Sequence, residues 1–552
     1  MTTFPKKDSL MFSLIVFLWL CAGFYFTPRI LALLIGPENI FAKSAVILFA
    51  LLLNLFWFYG FYHLVIILFS YRKPAPVDFN ANNLDGMGTP KVALLYTTCN
   101  DFRDEAVLSC LNQDYPDFHT FILDDSGDEE YKKRIDAFVC KYTSRVTLMR
   151  RRDRTGYKAG NLNNCLNRIS GFEYFSVSDA DTILPKDYIR NLLPYFNKPE
   201  VAFVQSRQEL NPAQGSAFAQ GLGFQIGLHC DNYLSTKEKY GFVMFYGHSA
   251  LMRLDVLREI GGFPEVATED LAYSMLIREK GYYGVYAKEV TSLEDFPSTF
   301  RQYRKRNEKW IRGTAECLFK YYPSFLKNKN ISRLEKFDVF VSALSLLLSL
   351  PFLALLLLVG FILPYYFSHF QFQGPMFRMP LSYDNSLIKF AVNVSGNFFW
   401  RWDFFLMLII MVASPILPVL IRILRRPGEK MRYIVMFTFN FYSMQVVSSL
   451  DLIAYLISGR AGFPVTGQEK DAAGNEVSNR RATVFIEVLA AFMFLLISVT
   501  TKNIWFLVFA AGTAIGTLIL KRGFENRLVR IFAVVPLVIL AIIIIFITKT
   551  LQ

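Results

Sequence analysis

Asp179 and Asp181, in the stretch SDADTILPKDYI, stand two residues apart directly after the β-prone run EYFSVS. Side chains two apart on an extended chain point the same way, so both carboxylates can face one bound ion. Magnesium and manganese take oxygen ligands, commonly one or two carboxylates with substrate phosphates completing the shell. Such a pair suits the cation that neutralises a diphosphate leaving group. D-x-D alone is a weak pattern, because Asp is also a common turn former and helix cap. A ligand-binding role and a turn or cap role both stay open for Asp124 and Asp125 in FILDDSGDEEY, and Asp270 in ATEDLAYSML taken alone reads as a helix cap.

These residues need elements that hold them. KVALLYTTCND, DFHTFILDDSGDEEY, RVTLMRRR and YFSVSDAD are apolar runs that end in turn residues, with the helical patterns RDEAVLSCLNQ and NLNNCLNRI between them. Strands alternating with helices predict a mostly parallel α/β sheet with ligands at the carboxyl ends of its strands. Asp124, Asp125, Asp179 and Asp181 all fall at such ends.

The chain is 53% hydrophobic and 19% charged over 552 residues, too apolar for an ordinary soluble protein. Apolar runs crowd residues 10–70, 337–366 and the stretch after about 402, whereas 72–335 reads as a globular domain. Candidate spans fall at about 10–28, 44–69, 340–364, 403–424, 483–500, 504–520 and 530–548. An eighth, 432–458, carries Asn440, Ser443, Gln445, Ser448, Ser449 and Asp451, and a charge deep in a span is costly. Laid flat on the inner surface, it leaves the basic clusters YRKP, RILRRPGEKMR and KRGFENRLVR all cytoplasmic. That placement accounts for the net charge of +13 without a nucleic-acid partner, for which no recognition motif is present. Seven cysteines without C-x-x-C spacing fit a reducing compartment. MTTFPKKD followed by an apolar run with no small-residue cleavage site reads as a retained signal anchor.

Four further motifs accompany the aspartates in order: GYKAGNLNNCL before them, then YGHSALMRLDVLREIGGF, ATEDLAYSMLIREKGY and FRQYRKRNEKWIRG. Together with the flanking spans, they make the chain resemble the membrane-embedded, processive family-2 glycosyltransferases of the cellulose synthase type. The resemblance runs over roughly residues 45–520. It implies a GT-A-like α/β cytoplasmic glycosyltransferase domain inserted in an α-helical transmembrane bundle of about seven spans plus interfacial helices. The corresponding organisation is two transmembrane helices over 1–72, the GT-A domain with interfacial helices over 73–325, and transmembrane helices over 326–431. An interfacial helix and gating loop follow over 432–482, then C-terminal transmembrane helices over 483–552.

The resemblance also implies roles. Asp124 or Asp125 would contact the uridine of a UDP-sugar, Lys158 would sit beside the diphosphate, and Asp179 and Asp181 would bind Mg2+ or Mn2+ and the donor. Asp270, in TED, would be the general base on the acceptor hydroxyl, beside Glu269, and Trp310 would stack on the acceptor sugar. Arg306 and Lys309 would grip the diphosphate, because the family usually carries Q-R-x-R-W where this chain reads Arg306-Asn307-Glu308-Lys309-Trp310. Lysine is a point charge without arginine's bidentate fork, so the grip differs in geometry. YGHSA stands where G-T-N is common, which brings His248 towards the donor or acceptor sugar. GFPVTGQEK resembles the gating loop F-x-V-T-x-K, with Phe463, Val465 and Thr466 matching and Gln468 at the lysine position.

The function implied is processive, inverting β-transfer from a UDP-sugar, UDP-glucose foremost, with export of the polysaccharide through the enzyme's own channel. The expected location is the inner or plasma membrane, with the bilayer and the growing polysaccharide as partners. Accessory secretion proteins or a second copy of the chain are further candidates. The rival readings are a single-sugar transfer to a lipid and an inactive transporter or scaffold.

Overall fold

The computed structural model describes residues 8–35, 39–71, 88–366, 406–407, 410–411, 413–425, 431–461, 480–501 and 504–522. Its internal contacts form two compact units. One comprises Met1–Asp8, Arg72–Leu346 and Leu452–Val477; the other comprises Ser9–Tyr71, Leu347–Asp451 and Ser478–Gln552.

The first unit is built on a seven-stranded sheet: β1 (Val92–Thr98), β2 (Phe118–Asp124), β3 (Val146–Arg150), β4 (Tyr174–Ser178), β5 (Val201–Leu210), β6 (Ala250–Arg253) and β7 (Tyr283–Glu294). The strand order is β3-β2-β1-β4-β6-β5-β7. All pairs are parallel except those of β6, which runs antiparallel to β4 and β5. Strand β1 is apolar on both faces because it lies between two cores. Val92, Leu94 and Tyr96 join one cluster, and Ala93 and Leu95 join the other. The continuous run KVALLYTT is therefore a central strand, and its carboxyl end is carried into the interior of the domain edge where loops can converge.

Six helices matter for the site: α1 (Asp104–Leu111), α2 (Glu129–Lys141), α3 (Tyr157–Leu166), α4 (Glu269–Glu279), α5 (Phe300–Lys320) and α6 (Arg333–Leu346). Helix α3 starts from Gly156 at φ +73°, a left-handed conformation that favours glycine. Its Gly160 lies so close to the Thr155 carbonyl that an added Cβ would stand 2.1 Å away. GYKAGN is thus a tight turn that brings Lys158 into the first helical turn. Helix α6, expected among the membrane segments, belongs to this unit. Glu335 binds Arg278 of α4 through two bonds of 2.8 and 3.1 Å, and Asp338 lies 3.0 Å from Lys237 and accepts the Phe242 N–H. Both acids are almost wholly buried, so the pairing is what makes their burial tolerable.

Among the described residues, four helical stretches are long and apolar enough to cross a membrane: Leu10–Ile35, Ile40–Ser70, Phe437–Ser458 and Thr483–Thr500. Three of these coincide with expected spans, at 10–28, 44–69 and 483–500; Phe437–Ser458 is the segment expected to lie flat, and Arg333–Leu346 qualifies only when counted with Ser349–Ile362 as one broken span. The segment expected at 530–548 lies outside the described residues. Met431–Ser458 forms one helix. Its Asn440, Ser443, Ser448, Ser449 and Asp451 are buried, and the Ser443 and Ser449 hydroxyls each donate to a carbonyl one turn back. Polar side chains of a spanning helix face the interior of the bundle, so this burial does not favour the flat placement of 432–458, which rests on the basic clusters alone.

Candidate active site

The carboxyl ends of β2 and β4 supply Asp124, Asp125, Asp179 and Asp181. Asp124, the last residue of β2, has no exposed side-chain surface. It accepts Arg150 Nε at 2.6 Å and the Ser126 N–H at 2.8 Å. Asp125 is held by the two-pronged guanidinium of Arg151, at 2.9 and 2.7 Å. Of the pair, Asp124 braces the loop from within, and Asp125 keeps a small exposed surface. A neighbour that the sequence pattern did not single out, Asp101, caps the turn after β1 by accepting from Thr98 Oγ1 and the Cys99 N–H.

Asp179 follows β4 and accepts a hydrogen bond from Thr97 Oγ1 at 3.1 Å. Its other neighbour is Lys158, whose Nζ lies 2.5 Å away. Burial opposes ionisation of Asp179, but Lys158, then His248 and Lys309, outweigh it and hold the carboxyl at about 2. The side chain keeps 35% of its surface exposed, so it is open to a ligand. Asp181 behaves in the opposite way. Burial first, then the negative charges of Asp179 and Glu294, push it up to about 7.

Lys158 bridges two loops, because its Nζ also donates to the Gly247 carbonyl at 2.9 Å. Gly247 has φ +85°, and a Cβ there would stand 3.6 Å from Asp270 Oδ2 and 4.0 Å from Glu269 Oε1. The GHS loop thereby brings the Asp179 side of the site against the TED motif. Glu269 and Asp270 occupy the first turn of α4, where the helix dipole favours negative charge. Glu269 is buried and Asp270 partly exposed. Burial, then the charge of Glu269, pushes Asp270 up to about 7. Asp270 Oδ1 also accepts the Leu271 N–H at 2.8 Å, so the helix-end role that Asp commonly plays is present as well.

Helix α5 completes the cluster. Lys309 is pushed down by burial, drawn back up by Glu269 and pressed down again by Lys158. Lys158 itself is raised: burial lowers it, and Asp179, Glu269 and Asp270 together more than compensate. Arg306 lies one turn before Trp310, with its guanidinium 4.4 Å from the centre of a Trp310 ring and 5.4 Å from that of Phe296. The Trp310 ring expected to stack on sugar thus already has an arginine against it. Phe463, Val465 and Thr466 lie outside the described residues.

His248 is 12% exposed, and its Nε2 lies 2.7 Å from Glu294 Oε2. Burial lowers its pKa, while Glu294 and then Asp179 raise it, with a net upward shift. Glu294 was not singled out from the sequence, although SLEDFP at the end of an apolar alternating run was the available signal.

The donor set can be tested against a divalent cation. Among the described residues no three His, Cys, Asp or Glu side chains converge into a metal cage. Two neighbouring carboxylates, one of them raised in pKa by burial first and by the other's charge second, fit an ion that shares its shell with phosphates.

Residues 174–424 match the family model described as glycosyl transferase family group 2. The chain is 27% identical over 229 residues to probable glucomannan 4-beta-mannosyltransferase 1 of Arabidopsis thaliana, covering 40% of this chain and 41% of that protein. It is 26% identical over 229 residues to glucomannan 4-beta-mannosyltransferase 9 of the same plant, covering 40% of this chain and 43% of the relative. The chain therefore spans about two fifths of the length of these relatives. Among solved structures it is similar to a mannosyltransferase from Pyrobaculum calidifontis in complex with GDP-Man and Mn2+. That likeness has a TM-score of 0.44 and 16% identity, and covers 69% of this chain and 99% of that one.

Proposed function

From the match of residues 174–424 to the model described as glycosyl transferase family group 2, we propose that this chain is a membrane-bound, inverting polysaccharide synthase. One observation carries the reading: Asp179, Lys158, Glu269, Asp270 and Lys309 converge at the carboxyl end of the sheet, close enough to perturb one another's charge. Such a cluster has a positive part for departing phosphates and a partly exposed carboxylate for an incoming hydroxyl.

Asp179 and Asp181 would hold Mg2+ or Mn2+, which supplies positive charge to the diphosphate leaving group. Lys158 and Lys309 add fixed cations on the same side, and Lys158 also keeps the two loops together through the Gly247 carbonyl. Asp270 takes the proton of the acceptor hydroxyl, whose oxygen attacks the anomeric carbon as the bond to the diphosphate breaks. Attack from the opposite face inverts the configuration. A base near pKa 7 is matched to this task at neutral pH, ionised in half or more of the molecules yet basic enough to accept a proton.

The proposed donor is a UDP-sugar, UDP-glucose foremost, with Asp125 next to the uridine and the polymer leaving through a channel of the apolar helices. The loop with Phe463, Val465 and Thr466 is proposed as the gate over the nucleotide. The names of the plant relatives favour mannose as the second candidate sugar. The Arg306–Trp310 contact favours a second reading for the acceptor side. If that arginine stays in place, Trp310 cannot offer the ring face it covers to a polymer, and transfer of a single sugar to a lipid is the second reading we keep.

Full-length protein purified in detergent or nanodiscs is to be given UDP-glucose, UDP-N-acetylglucosamine and GDP-mannose with Mg2+ or Mn2+. Nucleotide release is measured and the product sized. Release of UDP with a long glycan supports the reading. A single-sugar lipid supports the second reading, and no release with any donor defeats both.

A further inference from the structure

Glu294 ends β7 in a buried position, and among the described residues its Oε1 has no hydrogen-bond partner. Oε2 is taken by His248 Nε2, at 2.7 Å. The neighbouring backbone is fixed on both sides. Ile183 and Leu293 exchange reciprocal N–H to carbonyl bonds of 2.8 and 2.9 Å, and the Glu294 carbonyl accepts the Asn211 N–H at 2.8 Å. The end of β7 is therefore clamped to the segment that immediately follows Asp181.

His248 is fixed too. Its Nδ1 lies 2.9 Å from Ser249 Oγ and 3.3 Å from Thr182 Oγ1, its Nε2 lies 3.1 Å from Gln208 Nε2, and its carbonyl accepts Gln205 Nε2 at 3.0 Å. It sits next to Gly247, whose carbonyl holds Lys158. The unused oxygen thus belongs to a rigid pair between the aspartate loop and the GHS loop. A buried acceptor without a donor is costly and uncommon in folded proteins. Neither binding of the diphosphate nor deprotonation of the acceptor calls for this atom.

We propose that Glu294, oriented by His248, reads a hydroxyl group of the transferred sugar, with Oε1 accepting that O–H. The assignment rests on the reading of the site as a sugar-transfer site, and it makes Glu294 a specificity-determining residue. The chemistry selected is a hexose with a free hydroxyl at one position. A deoxy sugar leaves Oε1 unpaired there, and a deoxyfluoro sugar sets a second acceptor against it.

The test compares the best sugar nucleotide of full-length wild-type protein with its monodeoxy and monodeoxyfluoro analogues. At one ring position kcat/KM should fall at least tenfold for both analogues, the fluoro sugar falling further. In Glu294→Gln the amide oxygen stays on His248, so the NH2 group takes the place of the free acceptor and becomes a donor. The fluoro analogue at that position should then regain at least tenfold relative to the parent sugar. If Glu294→Gln does not fold, Glu294→Asp withdraws the carboxylate and should flatten the analogue profile at that position alone. An analogue profile identical to wild type in the folded variant overturns the assignment. Absence of transfer by wild type with every donor defeats the transferase reading itself, and the assignment with it.

Discussion

The Nζ of Lys158 lies 2.5 Å from Asp179 Oδ1 while donating to the Gly247 carbonyl, so one side chain ties the aspartate loop to the loop that faces Asp270. Removing it leaves Asp179 without its main counter-charge and frees the GHS loop. Lys158→Met should weaken nucleotide-sugar binding at least tenfold and reduce kcat/KM by 10²-fold or more, on the order of 3 kcal/mol. Lys158→Arg should recover little, because a planar fork cannot reproduce the point contact with both oxygens. Calorimetric donor binding beside steady-state kinetics checks both statements.

The pH profile carries a signature of the carboxylate pair in TED. Asp270 is pushed up to about 7, by burial first and by Glu269 second. A base acts only when ionised, so kcat/KM should fall about tenfold per pH unit below 7 and level off above it. Glu269→Gln removes one of the two causes and should move that limb to lower pH. Stability runs with the opposite sign. A carboxyl whose pKa is raised on folding stabilises the fold below its unfolded value, and that contribution is lost as pH rises through 7. A pH–rate profile of both proteins, with thermal unfolding at pH 5 and 8, is the measurement.

Chelation should abolish transfer, and added Mg2+ or Mn2+ should restore it. Asp181→Asn should raise the metal concentration needed for half-maximal rate by at least tenfold, since it replaces one of the two carboxylates by a neutral amide oxygen. A metal titration of the initial rate reads this directly. Full activity in excess chelator would remove Asp179 and Asp181 from the metal role.

The buried pair Arg278–Glu335 joins α4, which carries Asp270, to α6. Removal of one partner strands the other charge in the interior, so Arg278→Met should destabilise the protein by about 3–5 kcal/mol. Replacing both partners by apolar residues, Arg278→Met with Glu335→Leu, should recover most of the loss. Thermal unfolding of the three proteins distinguishes this from a simple packing defect, which the double replacement would not repair.

The first four strands and the placement of Asp124, Asp125, Asp179 and Asp181 at strand ends were legible because β1, β2 and β4 are apolar runs closed by turn residues. Strands β5–β7 were not. β6 is only four residues long and antiparallel, and β7 carries Lys288 and Glu289 in a run broken by a register shift. Helix α6 reads as membrane-bound from its apolar residues, and only the burial of Glu335 and Asp338 against Arg278 and Lys237 reveals its place in the sheet unit. Such pairings are invisible in one sequence because the partners lie 57 and 101 residues apart. Lys158, taken outside its motif, reads as a solvated loop lysine. Its burial depends on a glycine turn and on a carbonyl contributed 89 residues later. Glu294 was missed for the same reason, since nothing local links it to His248.

The most direct test of the proposed chemistry compares wild type and Asp270→Asn for nucleotide release and for donor binding in the same preparation. Wild type should release nucleotide from at least one donor. Asp270→Asn should lose 10³-fold or more in kcat and bind that donor within about threefold of wild type. Turnover by Asp270→Asn at the wild-type rate, or equal loss of donor binding and turnover, would contradict a base at this position.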